Sequence, residues 1–569
     1  MQQTKKDILI VFILISFLFL QAILSMRLKS NTFDEVNHII CGYTYIKTKE
    51  FRLTVAHPPL IKELAAIPLL LLRVKLPNDP EAWEDCNPNL YGKEFLYQFN
   101  DADTMLFWSR LVIVCLAGLL GIFVFIWAKE LYGRRAALLA LFLFCFCPDI
   151  LAHAQLVTTD LGLSCFFFIA CYFFYRFERK RTPITLLFTG ISLGLALLSK
   201  FSALFILPIW TIIIIYDDVK YVFSTTKQKR QYESLLKRMS LSVLSLILIC
   251  LVALFIIWLG YGGKYSKLKV SNSPSCINRP WEIMLPSNKL IKESVLFFKK
   301  NKIIPEAFLY GLLHTIKVTD GGRSFLMGKV SRGWWYYFII TFLIKTPIPL
   351  LIFLLLVIIS SHMDVNTSDH FIVIPVIIFF LIAILKKFNI GHRHILPIYP
   401  FLFVYMGKIV NDLKFKWQYG ILTLLLFWYL IGTLKIFPDY LAYFNELIGG
   451  PDNGYHYVVD SSLDWGQDLK GLKSYMEKKG IKKIFLSYFG TASPEYYKIN
   501  YEPLPSFFSL EKPMKLFSIK SGDFIAISVT NLQGVYLNNY SFSERILSYL
   551  KTLKPIGKIG YSIHVYQMP

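Results

Sequence analysis

The stretch "NTFDEVNHII", residues 31–40, sets two adjacent acids, Asp34 and Glu35, directly after a long apolar run, with His38 one helical turn later. A carboxylate held at the edge of a bilayer is suited to general-base work, removing a proton from an acceptor hydroxyl or amine. A plainer reading also fits. "TFDE" is a capping box, with Thr32 as N-cap and Glu35 at the third helical position, and acids in a first turn suit the helix dipole. A further acid, Asp160 in "TTDLGL", has the same two readings, a second site carboxylate or a helix cap.

Cations able to bind phosphate come next. Arg110 lies just inside an apolar run, in "FWSRLVIV", and Lys200 sits at a break between two runs, in "GLALLSKFSAL". A charge at membrane depth is costly and is a functional candidate by default; snorkelling to the headgroup region is the alternative. Lys62 follows "HPP", Arg323 lies in "DGGRSFLMGK", and Arg393 stands between His392 and His394 in "GHRHILPIYP". His38, His57, His392 and His394 lie in segments that could approach Glu35, but no HExxH or comparable ligand spacing exists. No cofactor is required by the sequence, and a divalent metal is left open.

The elements that must position these groups are membrane spans. The chain has 569 residues, 55% of them hydrophobic and 16% aromatic, with a mean hydropathy of +0.48. Apolar residues in long uninterrupted runs imply a polytopic α-helical membrane protein, with about eleven spans by window reading. The run Ile8 to Met26 lacks a small-residue cleavage site and reads as a retained anchor. The net charge of +23 sits in short loops such as "KELYGRR" and "RFERKR". That is the positive-inside pattern and argues against nucleic acid. It predicts a cytoplasmic N-terminus, with residues 27–105, the loop 260–335 and everything after about Phe437 on the extracytoplasmic face of a cell membrane. The spacing divides the chain into a membrane domain, 1–436, and an outer α/β domain, 437–569.

In that outer domain "IKKIFLSYF", "DFIAISVT" and "GYSIHVYQM" predict strands, while "DLKGLKSYMEKKG" and "SERILSYLKTL" predict helices, the first ended by Gly480. "DSSLDWGQDL" carries Asp460, Asp464 and Asp468 at helical spacing; contact with acceptor and a solvated helix start are both open. Of nine cysteines, only Cys41, Cys86 and Cys276 fall in outer loops. The sequence leaves open a Cys41–Cys86 pairing, a Cys86–Cys276 pairing, or none.

"FDEVNHIICGYTYIKTKEFRL…AHPPL", "RLVIVCLAGLLGIFVFIWAKELYGRRAALLAL", "QLVTTDLGLSCFF", "GLALLSKFSALFILP", "GGRSFLMGKVSRGWWYYFIITFLIKTPIPLL", "GHRHILPIYPF" and "PDYLAYFNELIGGPDNGYHYVVDSSLDWGQDL" together resemble the protein O-mannosyltransferase and aminoarabinose-transferase superfamily. These are GT-C membrane glycosyltransferases that use lipid-linked sugars, and the resemblance runs to about residue 470. It implies an inverting transfer from a polyprenyl-phosphate-linked sugar to a protein, lipid or glycan acceptor. Asp34, with Glu35 beside it, becomes the general base, and Asp160 the family's second acid. Arg110, Lys62 and Arg393, with Lys200, become donor-phosphate ligands; His57 matches a position beside the family's Pro-Pro, and His38 and Arg323 are substrate-side candidates. Loop 260–335 departs from the family, bearing no likeness to the repeat domain of eukaryotic mannosyltransferases.

Two readings compete with transfer. A transporter or flippase of lipid-linked sugars is also polytopic and basic, but the large one-sided outer segments and the lack of an inverted repeat speak against it. A lipid-binding sensor predicts that Asp34→Asn leaves function intact.

Overall fold

The structure, a computed structural model, describes residues 2–78, 80–224, 228–266, 268–272, 276, 278–319, 322–361, 368–386, 388–507, 519–537 and 541–569. Among these, six helices are long and apolar enough to cross a membrane: Lys5–Arg27, Ala102–Cys145, Thr159–Arg179, Phe201–Tyr221, Lys237–Gly260 and Lys416–Lys435. A seventh span is added if the bent pair Tyr337–Lys345 and Ile348–Ser360 counts as one. The other apolar runs read from the sequence are present as merged or shorter helices. The 44-residue element Ala102–Cys145 is broken at Gly133 (φ 85°), inside the "KELYGRR" loop, and so contains two of the predicted runs. Pro183–Ser199 and His370–Leu385 are apolar but shorter, and Tyr399–Gly407 is a nine-residue piece following a 3₁₀ turn.

Close packing of these helices depends on small residues, as expected where lipid offers no hydrophobic drive between helices. A Cβ on Gly190 or Gly194 would lie 2.5 Å and 2.6 Å from the Cβ atoms of Val252 and Ile256, so the helix Pro183–Ser199 lies directly on Gln228–Gly260. Two other close approaches concern the first outer segment. A Cβ on Gly42 would run into the carbonyl of Lys62, and one on Gly162 into the side chain of Ile61. The short helix Leu60–Ala66 is thus wedged between Glu35–Thr48 and the span that carries Asp160.

The C-terminal part holds a five-stranded sheet in the order Tyr501–Pro503, Ile484–Ser487, Phe524–Ser528, Ile563–Gln567, Gly557–Ile559. Its first three strands are parallel and the others antiparallel. The three strands and two helices read from the sequence are present, the helices being Leu469–Lys479, closed by Gly480 at φ 68°, and Ser541–Thr552. The two three-residue edge strands are additions that the sequence did not announce. A separate antiparallel hairpin, Ser324–Leu326 with Lys329–Ser331, lies in the second outer loop.

Candidate active site

The helix at the opening stretch begins at Glu35, with Asp34 as its N-cap, and not at Thr32. Only part of the expected capping box forms: the Glu35 carboxylate accepts from the Thr32 amide at 2.7 Å and from its hydroxyl at 3.1 Å. The same carboxylate accepts from Arg110 Nε (2.8 Å) and Nη2 (2.6 Å) and from the amide of Val157 (2.9 Å). Burial alone would raise the Glu35 carboxyl; Arg110 and these amides more than reverse it and hold it below the ordinary carboxylate range. Arg110 spends its remaining donors on the carbonyls of Met26, Lys29 and Ser30. Both side chains are essentially unexposed. This corrects the expectation for both. Glu35 has no approach to a substrate proton, and Arg110 has no donor left for phosphate; together they fix the loop that ends in Asp34.

Asp34, by contrast, retains 27% side-chain exposure. Arg393 Nη1 lies 3.1 Å from its Oδ2 and 3.3 Å from Asp160 Oδ2. Lys200 Nζ donates to the other Asp160 oxygen at 2.6 Å. Four groups from four separate parts of the sequence therefore meet: an acid after the first span, an acid in the first turn of Thr159–Arg179, and two cations from two different breaks between helices. Lys200 does not snorkel; it turns inward onto Asp160.

Asp160 and Lys200 open onto a cavity of about 460 Å³, with His57, His394 and Lys386 also in its wall. Phe201, Phe205, Phe338 and Phe379 supply much of the apolar lining. His57 Nδ1 and His394 Nε2 are buried there without a hydrogen-bond partner among the described residues. Burial, reinforced by Lys200, holds both imidazoles well below their ordinary pKa, so they are neutral. A neutral imidazole nitrogen can donate or accept, which suits phosphate oxygens or sugar hydroxyls. Two cations, Arg393 and Lys200, contact these carboxylates, and a third, Lys386, stands in the same cavity wall.

The other candidates lie apart from this constellation or in supporting positions. Lys62 is buried, donates to the carbonyl of His57 at 3.0 Å and sits over the Tyr45 ring; it braces the His57 loop and is absent from the cavity wall. Burial pushes its ammonium below the ordinary lysine range. His38 Nδ1 donates to the Val157 carbonyl at 2.8 Å, its ring 5.9 Å from that of His57. Arg323 is exposed before the hairpin and does not line the cavity. His392 bonds Tyr399 at 2.8 Å, behind Arg393. No group of three or more His, Cys, Asp or Glu side chains among the described residues could hold a metal.

Two groups escaped the sequence reading. Lys386 follows the helix His370–Leu385 and lies over Phe205; its signal was a lysine pair just upstream of the Arg393 segment. Trp465, in the quoted "DSSLDWGQDL", stacks under the Arg393 guanidinium at 4.1 Å. The three acids of that segment do not form a solvated helix start. Asp464 and Asp468 are buried, and Asp460 lies beneath Tyr536.

Residues 9–262 match the family described as dolichyl-phosphate-mannose-protein mannosyltransferase. That match covers somewhat less than half of the chain and includes Asp34, Asp160 and Lys200. No curated protein sequence matches the chain. Solved structures similar to it include ArnT from Cupriavidus metallidurans bound to undecaprenyl phosphate, with 11% identity over 98% of this chain and 97% of that one and a TM-score of 0.49. The S. cerevisiae protein O-mannosyltransferase complex bound to the sugar donor shares 20% identity over 47% of this chain and 35% of that one, at a TM-score of 0.36. The Archaeoglobus fulgidus oligosaccharyltransferase AglB, in complex with an inhibitory peptide and a dolichol-phosphate, shares 12% over 90% and 62%, at 0.42.

Proposed function

We propose that this protein is a membrane glycosyltransferase that moves a single sugar from a polyprenyl-phosphate carrier to a hydroxyl of a protein, lipid or glycan acceptor on the extracytoplasmic face, with inversion. Asp34 is the general base: it takes the acceptor proton as the acceptor oxygen bonds to the anomeric carbon. The bond from that carbon to the phosphate oxygen breaks, and its electron pair leaves with the phosphate. The departing anion needs little proton help and much positive charge, so preorganised cations carry the electrostatic share of catalysis. Arg393, Lys200 and Lys386 supply it, and the neutral His57 and His394 add hydrogen bonds. The aromatic cavity walls suit the first isoprene units.

The observation that carries this reading is Arg393 in reach of both Asp34 and Asp160, beside a cavity that is charged in one part and apolar in another. Purified protein in nanodiscs, given a panel of polyprenyl-phosphate sugars and membrane extract as acceptor, tests it. Release of free polyprenyl phosphate by the wild type and not by Asp34→Asn is expected, and the active donor names the sugar. Binding of the lipid without release from any donor would return the assignment to transport or sensing.

A further inference from the structure

The outer domain is more than an appendage to the membrane site. Its turn Asp460–Trp465 is interlocked with the segment that carries Arg393. Trp465 stacks under the guanidinium with Cζ 4.1 Å from the ring centre. Ser461 Oγ accepts from Arg393 Nε at 3.1 Å and donates to the Ile390 carbonyl at 2.8 Å. Ser462 Oγ accepts from the His392 amide at 3.0 Å. The fit has no slack, because a Cβ on Gly391 would collide with Ser461 Oγ.

The same turn grips the loop that ends in Asp34. The Phe33 amide donates to the Trp465 carbonyl at 2.8 Å, and the Ser30 amide to the Gln467 carbonyl at 2.9 Å. Thr491 donates to the Phe33 carbonyl at 3.1 Å, and Lys29 is held between Asp439 and Asp468. Asp34 and Arg393 thus hang from one buried turn, although 359 residues separate them in sequence.

The turn is itself anchored with care. Asp460 has a left-handed backbone, φ 56°, a conformation that Asp tolerates better than most residues. It receives Tyr536 OH on its carboxylate, and its amide donates to Thr530 Oγ1 at 3.1 Å. Asp464 Oδ2 accepts from the Thr530 amide at 2.9 Å. These bonds tie the turn to the short helix Val529–Leu532 at the end of the central strand Phe524–Ser528.

We infer that Trp465 and Ser461 are positioning residues of the transferase site: the outer domain sets the guanidinium of Arg393 between Asp34 and Asp160. This rests on the transfer reading proposed above. The physical argument is one of freedom. An arginine side chain has several rotatable bonds, and its Nη1 must reach two carboxylates at once. A flat indole beneath the guanidinium and an acceptor on Nε leave it one orientation, with Nη1 aimed at both acids. Misplacement of such a group by about 1 Å costs about 10²-fold in rate. A packing residue with no such role would affect stability alone.

The experiment compares Trp465→Leu, Trp465→Phe and Ser461→Ala with wild type in the polyprenyl-phosphate release assay, reading kcat, the donor KM and the thermal midpoint in detergent. Trp465→Leu and Ser461→Ala are expected to lower kcat about 10- to 100-fold. The donor KM is expected to move less than about threefold, the split that marks an interaction strongest in the transition state. Trp465→Phe, which keeps a ring under the guanidinium, restores most of kcat. The inference is overturned if folded Ser461→Ala and Trp465→Leu turn over like wild type, or if the Phe and Leu variants lose activity equally and only in step with their thermal midpoints. A wild type that binds donor and never releases product sinks the transfer reading itself, and this inference with it.

Discussion

Arg393 Nη1 stands 3.1 Å from Asp34 and 3.3 Å from Asp160, while the neighbouring acid Glu35 is turned away and closed onto Arg110 at 2.6 Å. Two carboxylates adjacent in sequence thus occupy opposite environments. One is partly open and shares its cation with a second acid; the other is sealed with a cation of its own.

Asp34→Asn and Glu35→Gln are therefore expected to fail in different ways. Asp34→Asn keeps the fold and lowers turnover by about 10²–10⁴-fold, the usual share of a general base. Glu35→Gln leaves Arg110 buried without a counter-charge, and breaking a buried pair costs about 3–5 kcal/mol. Thermal unfolding in detergent beside the release assay separates them. A folded, normally stable Glu35→Gln that has lost turnover would reverse the roles argued for the two acids.

How much of this was legible in the sequence can be judged from these same residues. Asp34, Asp160, Lys200 and Arg393 were readable because charge at a span boundary is scarce and therefore conspicuous. Their partnership was not, since Asp34 and Arg393 meet only through folding across most of the chain. Arg110 and Glu35 looked like phosphate ligand and base for the same reason of scarcity. Only the carbonyls of Met26, Lys29 and Ser30 reveal that Arg110 has no donor to spare. Trp465 gave no signal of its own, because stacking is a property of approach and leaves no spacing in the sequence. The apolar runs were readable individually, whereas the break at Gly133 and the bend after Lys345, which set how those runs are divided, were not.

Lys386 tests the cavity as the donor site. It is exposed beside Phe205 and pairs with no carboxylate among the described residues, so Lys386→Ala removes a phosphate contact without uncovering a buried charge. One charge-assisted hydrogen bond of about 1.5–3 kcal/mol, discounted for exposure, raises the donor KM about tenfold. Lys200→Ala is harsher, because it strips a buried Asp160 of one of its two cations. An unchanged donor KM in Lys386→Ala would remove this cavity from the donor path.

The C-terminal part has a pH dependence of its own. Burial lifts the Asp464 carboxyl from 3.8 to about 8 and that of Asp460 to about 6. An acid with a raised folded-state pKa stabilises the fold in its protonated form. That contribution is complete below the unfolded value and is lost as pH rises through the folded one. The thermal midpoint is expected to fall between about pH 4 and about pH 8. Asp464→Asn, a neutral isostere that can still accept from the Thr530 amide, flattens the upper part of that slope. An equally steep slope in Asp464→Asn would mean that other groups set it.

The outer cysteines offer a prediction independent of catalysis. Cys41 lies inside the helix Glu35–Thr48, whereas Cys86 and Cys276 hydrogen-bond one another across the two outer loops. The contact is braced on both sides: Glu84 pairs with Arg52 and Lys269, and Asn278 donates to the carbonyls of Arg52 and Lys269. Its hydrogen bond with Cys86 lowers the Cys276 thiol from its ordinary value, which favours the thiolate that disulfide exchange needs. On an oxidising face of the membrane, an oxidoreductase in its disulfide form accepts the two electrons and two protons, and one Cys86–Cys276 bond forms as two thiols appear on the oxidoreductase. Alkylation of the denatured protein before and after reduction is expected to differ by two thiols, mapped by peptide mass to this pair. Such a bond closes a loop of about 190 residues, for which chain-entropy arguments give stabilisation toward the upper end of about 2–5 kcal/mol. Cys86→Ser then lowers the thermal midpoint of unreduced protein and abolishes its sensitivity to reductant. Full alkylation of both thiols in protein taken directly from cells, without reductant, would show that the pair stays reduced and that the polar braces alone hold the two loops together.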